Sequence, residues 1–513
     1  MNLLANLTAA QENRKLRFSP DDLELFSSAS HDRNPLHMSA DYARKTPYGD
    51  RVVFGVLGGL AGLGRLKERP DFNLSSITLD FINPMFMGID YTIESNDEDS
   101  RRATAKIYDG KLLMLKMTAS FAEGRIAETG SDLHGLAPRP EAANLDRASL
   151  FAGFTIDGDY APSSEALRAI LLRLGIQAKG IGMIHIASLM WCSYLVGMEM
   201  PGRPALFSKL SLKFAAPEKS AGTRLSYKAK VAAFDERFDL IRISADLSSD
   251  EVAVASADLK SFVRQNSLIA SNAAIESAMP RSEALNGKVA LIVGASRKLG
   301  ASLAQFLSLQ GSTVVVNYHK SRAEAERLKG NLSDAAGEIA LLQGDGSNLG
   351  VCSEMEREIA QRYKRLDFLV CNACPPLLPL WLEPNAVHRI NEYVGKSLSL
   401  VSSPMAVFLQ ALSATRGWCV VISSVIAHRQ PPAEWPHYVS AKYAIEGLVR
   451  VAAVEYSAIS FLLVRPPRLL TDLTSTPLGR QEALPPESVA AKIVRRILGS
   501  PSPGRVELLE DFQ

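Results

Sequence analysis

The 513-residue chain is short of cysteine, of net charge and of long apolar runs, and each shortage removes a class of protein. Its five cysteines (Cys192, Cys352, Cys371, Cys374 and Cys419) are sparse and odd in number, which argues against a disulfide framework and suits a reducing compartment. Basic and acidic residues number 57 and 55, so no general attraction to nucleic acid or an anionic membrane is expected. No segment approaches about 20 uninterrupted apolar residues, and the opening MNLLANLTAAQENRK lacks the basic start and apolar run of a signal peptide. The expectation is a cytoplasmic protein with no membrane contact. Cys371-Asn-Ala-Cys374 has redox or metal spacing, but it has no second pair and no nearby His, so core packing is the better reading and no metal site is expected. What the chain does have is 47% apolar residues, enough to build cores for two to four domains.

Near the N-terminus, Ser19-Pro20 followed by two acids reads as a helix start. The helix runs into Asp32-Arg33-Asn34-Pro35-Leu36-His37, where proline pins the backbone so that short polar side chains can converge. A carboxylate and an imidazole reaching one water could take its proton and return it to a leaving hydroxyl, which is hydration or dehydration chemistry. A solvated Asx turn with an incidental His would show the same residues. The small-residue apolar stretch Val52 to Gly64 then reads as a wrapped helix, and strand-like runs follow at Ser76 to Phe81, Asp90 to Glu94, Arg101 to Tyr108 and Leu112 to Phe121.

This stretch resembles the MaoC-like hotdog hydratases and dehydratases, whose motif reads Asp-x-Asn-Pro-x-His and precedes a glycine-bearing central helix. The resemblance implies that Asp32 and His37 are the catalytic pair and that Asn34 supports them. The family's His-Gly at the helix start is Phe54-Gly55 in this chain.

Residues 136 to 147 are rich in Pro and Ala and read as a linker. Beyond it, Phe151 to Gly175, the apolar Ile184 to Gly197 and four alternating strands up to Phe262 repeat the order of the first unit, which suggests a duplication. The second copy has no Asp-x-Asn-Pro-x-His cluster, and its His185 reads as a core histidine. It looks like a second, degenerate hotdog that shapes an acyl tunnel.

From Lys288 strands and helices alternate, the pattern of a doubly wound parallel sheet with ligands beyond the strand ends. Gly294 and Gly300 mark a turn whose following helix would present its N-terminus to a pyrophosphate. Ser424 closes a strand, and Tyr438 and Lys442 lie one helical turn apart, so an ammonium could stabilise a phenolate that would otherwise form near pH ~10. Such a Tyr-x-x-x-Lys pair alone also occurs on solvated faces.

Together these residues resemble the short-chain dehydrogenase/reductases over about 220 residues. The resemblance implies a catalytic set of Ser424, Tyr438 and Lys442, with Lys396 near the position of the family's further asparagine. It also implies cofactor contacts from Gly294, Ser296, Arg297, Leu299, Gly300, Asn317, Lys320, Asp345, Asn372, Ala373, Tyr438, Lys442, Pro466 and Thr471. Lys298, Cys374 and Pro467 stand where the family has glycine. The second strand ends at Asn317 with no acid for a ribose hydroxyl, while Arg297 and Lys320 could pair with a 2′-phosphate, which favours NADP(H).

The fold expected is α+β followed by α/β: a hotdog domain over 1–135, a degenerate hotdog over 148–270 and a Rossmann-type domain over 286–513. The activity expected is reduction of a 3-oxoacyl thioester and dehydration of the 3-hydroxyacyl product, on acyl carrier protein or coenzyme A, in fatty-acid-like or polyketide assembly. A homo-oligomer, dimer or tetramer, is expected. Oxidative acyl breakdown, or one active domain beside a scaffold, are the alternatives.

Overall fold

Alternation of buried and exposed side chains along ten strands, with two apolar helices to cover them, builds the first part of the chain. The computed structural model describes residues 15–124, 139–176, 179–215, 224–265, 270–332, 337–475 and 477–512. It divides into two compact units, one running through Gln265 and the other beginning at Asn266.

In the first unit the strands are β1 (Lys15–Leu16), β2 (Phe72–Phe81), β3 (Tyr91–Asp97), β4 (Arg102–Asp109), β5 (Leu112–Glu123), β6 (Thr155–Tyr160), β7 (Ala205–Phe214), β8 (Leu225–Asp235), β9 (Leu240–Ser249) and β10 (Val252–Val263). They form one sheet in the order β1-β3-β4-β5-β2-β7-β10-β9-β8-β6. Read from its two edges inward, the order is the same twice, with β6 to β10 standing where β1 to β5 stand. Each half wraps one apolar helix, Gly55–Leu63 in the first and Met183–Tyr194 in the second.

The two halves join where β2 and β7 pair antiparallel, from Ser76 opposite Lys213 to Asp80 opposite Lys209. Thr78 and Ser211 share a 2.8 Å hydroxyl hydrogen bond at the middle of this junction, and Lys209 pairs with Asp80 at 2.9 Å. One hydrophobic core, from Phe18 to Val263, serves both halves. The two expected hotdogs are therefore lobes of a single unit. Of the stretch read as a linker, 136–138 lie outside the described residues, and the rest is docked on the second lobe: Ala143 donates to the Met198 carbonyl, and Arg203 donates to Ala143.

The glycines of the first helix have a packing reason. A Cβ at Gly59 would lie 2.3 Å from Leu79, and one at Gly58 would lie 2.4 Å from Met85. Sheet side chains occupy the space that larger helix residues would need, so the helix tolerates glycine against its propensity. His185 is a core histidine, as expected: Gly182 N–H donates to its Nδ1 at 3.0 Å, and its ring meets Phe214 edge-on at 4.4 Å.

The second unit contains β11 (Val289–Val293), β12 (Thr313–Tyr318), β13 (Ile339–Gln343), β14 (Phe368–Cys371), β15 (Trp418–Ile422), β16 (Ser460–Val464) and β17 (Val506–Leu509). All are parallel, in the order β13-β12-β11-β14-β15-β16-β17. β11, β15 and β16 are buried along their whole length, because helices cover both faces. The strand order reverses between β12 and β14 on either side of β11, so the crevice lies beyond the carboxyl ends of β11 and β14. The segment 384–415 is long and apolar enough to cross a membrane by length and composition alone, although no such run was expected from the sequence. Its buried residues Val401, Met405, Phe408, Leu409 and Leu412 form a stripe in the core of the unit, and its charged residues Arg389, Glu392 and Lys396 precede that stripe in the N-terminal part of the helix.

Gly59→Ala should destabilise the first unit by about 1–3 kcal/mol, because Leu79 must leave its rotamer to admit the methyl. Chemical denaturation measures this, and an unchanged or raised stability would contradict the packing account.

Candidate active sites

The Asp-x-Asn-Pro-x-His loop is built by consecutive caps. Ser19 and Asp22 close a reciprocal capping box on the helix Pro20–Ser30, which ends at His31 in the left-handed conformation, φ +58°. Asp32 N–H then donates to Ser30 Oγ, and Asn34 N–H donates to Asp32 Oδ1 at 3.0 Å. Asn34 Oδ1 caps the next turn by accepting from Leu36 N–H at 2.9 Å, and that turn, Pro35–Met38, carries His37. Asp32, Asn34 and His37 all line one cavity of about 110 Å³, together with Tyr48 and Ser193.

The second lobe completes this site. Ser193 Oγ donates to Asp32 Oδ2 at 2.7 Å. Asn34 Nδ2 donates to the carbonyls of Gly197 and Gly202 at 2.8 and 3.0 Å. Gly197 belongs to a π-helical turn, Leu195–Glu199, and a Cβ there would lie 2.5 Å from Asp32 Oδ1. Nothing larger than glycine fits above the carboxyl group.

Electrostatics then divide the pair. Burial pushes the Asp32 carboxyl up to about 7, and the Ser193 hydroxyl and Asn34 N–H pull against that rise. Burial also lowers His37 to about 4, although an edge of its ring reaches the cavity. Its Nδ1 lies 2.8 Å from the Val52 carbonyl, which fixes the proton on that nitrogen and leaves Nε2 as a lone-pair acceptor. Phe54, which replaces the family's histidine, stacks on the His37 ring at 4.0 Å. The result is an acid and a base lining one cavity at neutral pH: a carboxyl group that can hold its proton and an imidazole that can accept one.

In the second unit, Gly294 (φ +77°) ends β11, and a Cβ there would lie 2.9 Å from Ala373. A Cβ on Gly300 would lie 2.4 Å from the Gly294 carbonyl. Asn372 Nδ2 props the turn from below by donating to the Gly294 carbonyl at 2.8 Å. Lys298 adopts the left-handed backbone, φ +55°, so the glycine conformation is kept without glycine at a cost of about 1–2 kcal/mol. This tight turn opens the 12-residue helix Lys298–Leu309, whose Leu299 is buried behind it, as is Ser296 in the turn. A tight turn that leaves no room for a Cβ, at the positive end of a helix dipole, fits a dinucleotide pyrophosphate.

Ser424, Tyr438 and Lys442 are brought together as expected. Tyr438 hydrogen-bonds with Ser424, and Lys442 Nζ lies 5.4 Å from the Tyr438 ring centre while donating to the Ile422 carbonyl at 3.0 Å. The expected acidification of the phenol does not prevail. Burial outweighs Lys442 and Ser424 and raises Tyr438 above its ordinary value, so the phenol stays protonated at neutral pH and can donate.

The expected place of Lys396 needs correction. Lys396 does not reach the catalytic set: its Nζ donates to Asp345 Oδ2 at 2.9 Å and also bonds the Ser347 hydroxyl. Burial opposes ionisation of Asp345, yet these partners and Ser347 N–H hold its carboxyl well below the ordinary range. The Asn317 side chain is spent on structure, accepting from Gly294 N–H and donating to the carbonyls of Leu342 and Gly344. Arg297 and Lys298 both pair with Asp472, at 2.9 and 2.7 Å, so Arg297 does not await a phosphate alone. Thr471, just before Asp472, caps a short turn that includes it; Pro466 is buried and its carbonyl accepts from Val425, and Lys320 is exposed beyond β12.

The sequence reading missed Glu446, one turn beyond Lys442. Its carboxylate accepts from Ser423 and from Arg465 in bidentate fashion, at 2.7 to 2.9 Å, and pairs with His428, which fastens the strand ends on either side of Tyr438. The Glu-x-x-x spacing from Lys442 was the available signal.

A model of the short chain dehydrogenase family matches residues 288–480, and a MaoC-like domain model matches residues 6–112. The chain joins a MaoC-like domain to a short-chain dehydrogenase domain. It is 32% identical over 173 residues to 1-cyclohexenylcarbonyl-CoA reductase of Streptomyces collinus, a match covering 33% of this chain and 60% of that protein. It is 29% identical over 191 residues to the uncharacterized oxidoreductase YgfF of Escherichia coli, covering 36% and 77%. Among solved structures, an alcohol dehydrogenase of the archaeon Thermococcus sibiricus complexed with 5-hydroxy-NADP overlays with a TM-score of 0.39 at 28% identity, covering 44% of this chain and 95% of that one.

Dehydration through this MaoC-like site should be fast only while Asp32 is protonated and His37 is neutral. Its rate should therefore hold between about pH 4 and about pH 7 and fall above about 7. Ser193→Ala removes a bond that favours the carboxylate and should move the upper limb to higher pH; a pH–rate profile that rises through 7 would contradict the assignment. Asp472→Asn should tighten NADP(H) binding severalfold in a fluorescence titration, because Arg297 and Lys298 would lose a competing carboxylate. Unchanged or weaker binding would show that Asp472 does not compete.

Proposed function

We propose that the chain is a bifunctional enzyme that reduces a 3-oxoacyl thioester with NADPH and dehydrates a 3-hydroxyacyl thioester to the 2-enoyl product. The observation that supports it best is the separation of Asp32 and His37 into proton donor and proton acceptor around one cavity. His37 Nε2 takes the proton from the carbon next to the thioester carbonyl. Asp32 gives its proton to the departing hydroxyl, and water leaves. Asn34 and Ser193 hold the carboxyl group in place throughout.

In the reductase domain, NADPH when bound supplies the hydride. Ser424 orients the ketone oxygen, Tyr438 delivers the proton to it, and Lys442, fixed by the Ile422 carbonyl, eases the charge left on the phenol oxygen. The absence of an acid at the end of β12 supports NADPH over NADH, and the phosphate contacts are assigned to Arg297 and Lys298 once Asp472 gives way. Acyl carrier protein or coenzyme A carries the substrate, in acyl assembly in the cytoplasm, by a homo-oligomeric enzyme.

Two variants separate the half-reactions. Asp32→Asn should cost the dehydration about 10²–10⁴-fold and spare reduction; Tyr438→Phe should do the reverse. Mass spectrometry of acyl products from a 3-oxoacyl thioester with NADPH measures both. Either variant leaving both steps intact would remove the corresponding site from the account.

A further inference from the structure

The first central helix, whose Gly55 lines the MaoC-like cavity, offers no groove along which an acyl tail could extend, because the protein's own side chains fill its bare face. Gly55, Gly58, Gly59 and Gly62 put a bare face on the first central helix, beside which an alkyl chain could lie. Each position is already filled. Built Cβ atoms would meet the Phe81 ring at 2.7 Å from Gly55, Met85 at 2.4 Å from Gly58, Leu79 at 2.3 Å from Gly59, and Ala105 and Met117 at 3.3 Å from Gly62. Leu79, Met85 and Met117 are buried, so these contacts belong to the core and leave no groove. Phe81 and Phe207, which both line the cavity, pack against each other with ring centres 5.0 Å apart and so take up apolar space at its wall.

The space that remains is about 110 Å³. A cavity of about 150 Å³ just holds a six-carbon benzene ring, which scales to about four carbons for this one. Those carbons must include the two that react at Asp32 and His37.

We infer that the MaoC-like site selects short acyl groups of about four carbons, with Phe81, Met85 and Phe207 as the residues that set the limit. This rests on the dehydratase reading above and adds chain length to it. Extra methylenes would have to displace packed core side chains, which costs about 1–3 kcal/mol for modest overpacking and more for a long tail.

The test is hydration of crotonyl-, hexenoyl- and decenoyl-coenzyme A by the full chain, followed by loss of the enoyl absorbance. Crotonyl-coenzyme A should be preferred over the decenoyl thioester by at least about 100-fold in kcat/KM, the equivalent of two ~1.4 kcal/mol steps. Phe207→Ala should narrow that preference at least about 10-fold, mainly through the longer substrates; Met85→Ala is a second variant should the first fail to fold. Equal turnover of crotonyl and decenoyl thioesters by the unaltered chain would overturn the length limit and leave the dehydratase reading standing. Turnover of none of the three would instead overturn the dehydratase reading, and the limit with it. A preference that neither variant relaxes would overturn the residue assignment.

Discussion

Everything in the first unit turns on one buried carboxyl group. Asp32 lies at the meeting of two lobes, bonded by its own loop through Asn34 N–H and by the other lobe through Ser193, beneath a glycine that leaves no spare volume. Low polarity favours the neutral acid, while two hydrogen bonds stop it from becoming a permanently protonated group. That balance sets the group near neutrality, where a proton donor is most useful. It also gives the second lobe, which lacks the Asp-x-Asn-Pro-x-His motif, a part in the first lobe's site: its central helix and π-helical turn supply the ceiling and one hydrogen-bond donor.

The reductase domain reaches a comparable state by other means. Its phenol is kept protonated by burial, and an ammonium and a serine hydroxyl temper that effect. Glu446 gathers Ser423, His428 and Arg465 into one network, which ties the carboxyl ends of β15 and β16 together. The turn that would cradle a pyrophosphate keeps a glycine-like backbone at Lys298 and adds a cation there, and Asp472 offsets part of that charge.

Much of this was legible in the sequence because it is local. Asp32 to His37 fold through caps within six residues, and the central parallel strands β11, β14, β15 and β16 announce themselves as nearly continuous apolar runs. The duplicated order of helix and strands was also readable, since the pattern repeats along the chain. What could not be read was contact across long separations. Ser193 stands 161 residues from Asp32 as one small polar residue in an apolar helix, and nothing in its neighbourhood signals a partner. Lys396 falls near the position of the further asparagine of the short-chain dehydrogenase/reductases, yet its side chain turns to Asp345. Arg297 shows the same limit: charge in a loop suggests a phosphate, but a carboxylate 175 residues later takes it. The net direction of the Tyr438 shift depends on how deeply the phenol is enclosed, which spacing to Lys442 cannot reveal.

The central claim is that burial between the lobes, not a partner charge, sets the protonation of Asp32. Carbon-13 NMR titration of aspartate-labelled protein, with Asp32→Asn to assign the signal, measures this directly. A midpoint near 7, moving upward in Ser193→Ala, is the expected result. A midpoint at or below the ordinary carboxylate value of about 4 would contradict the account.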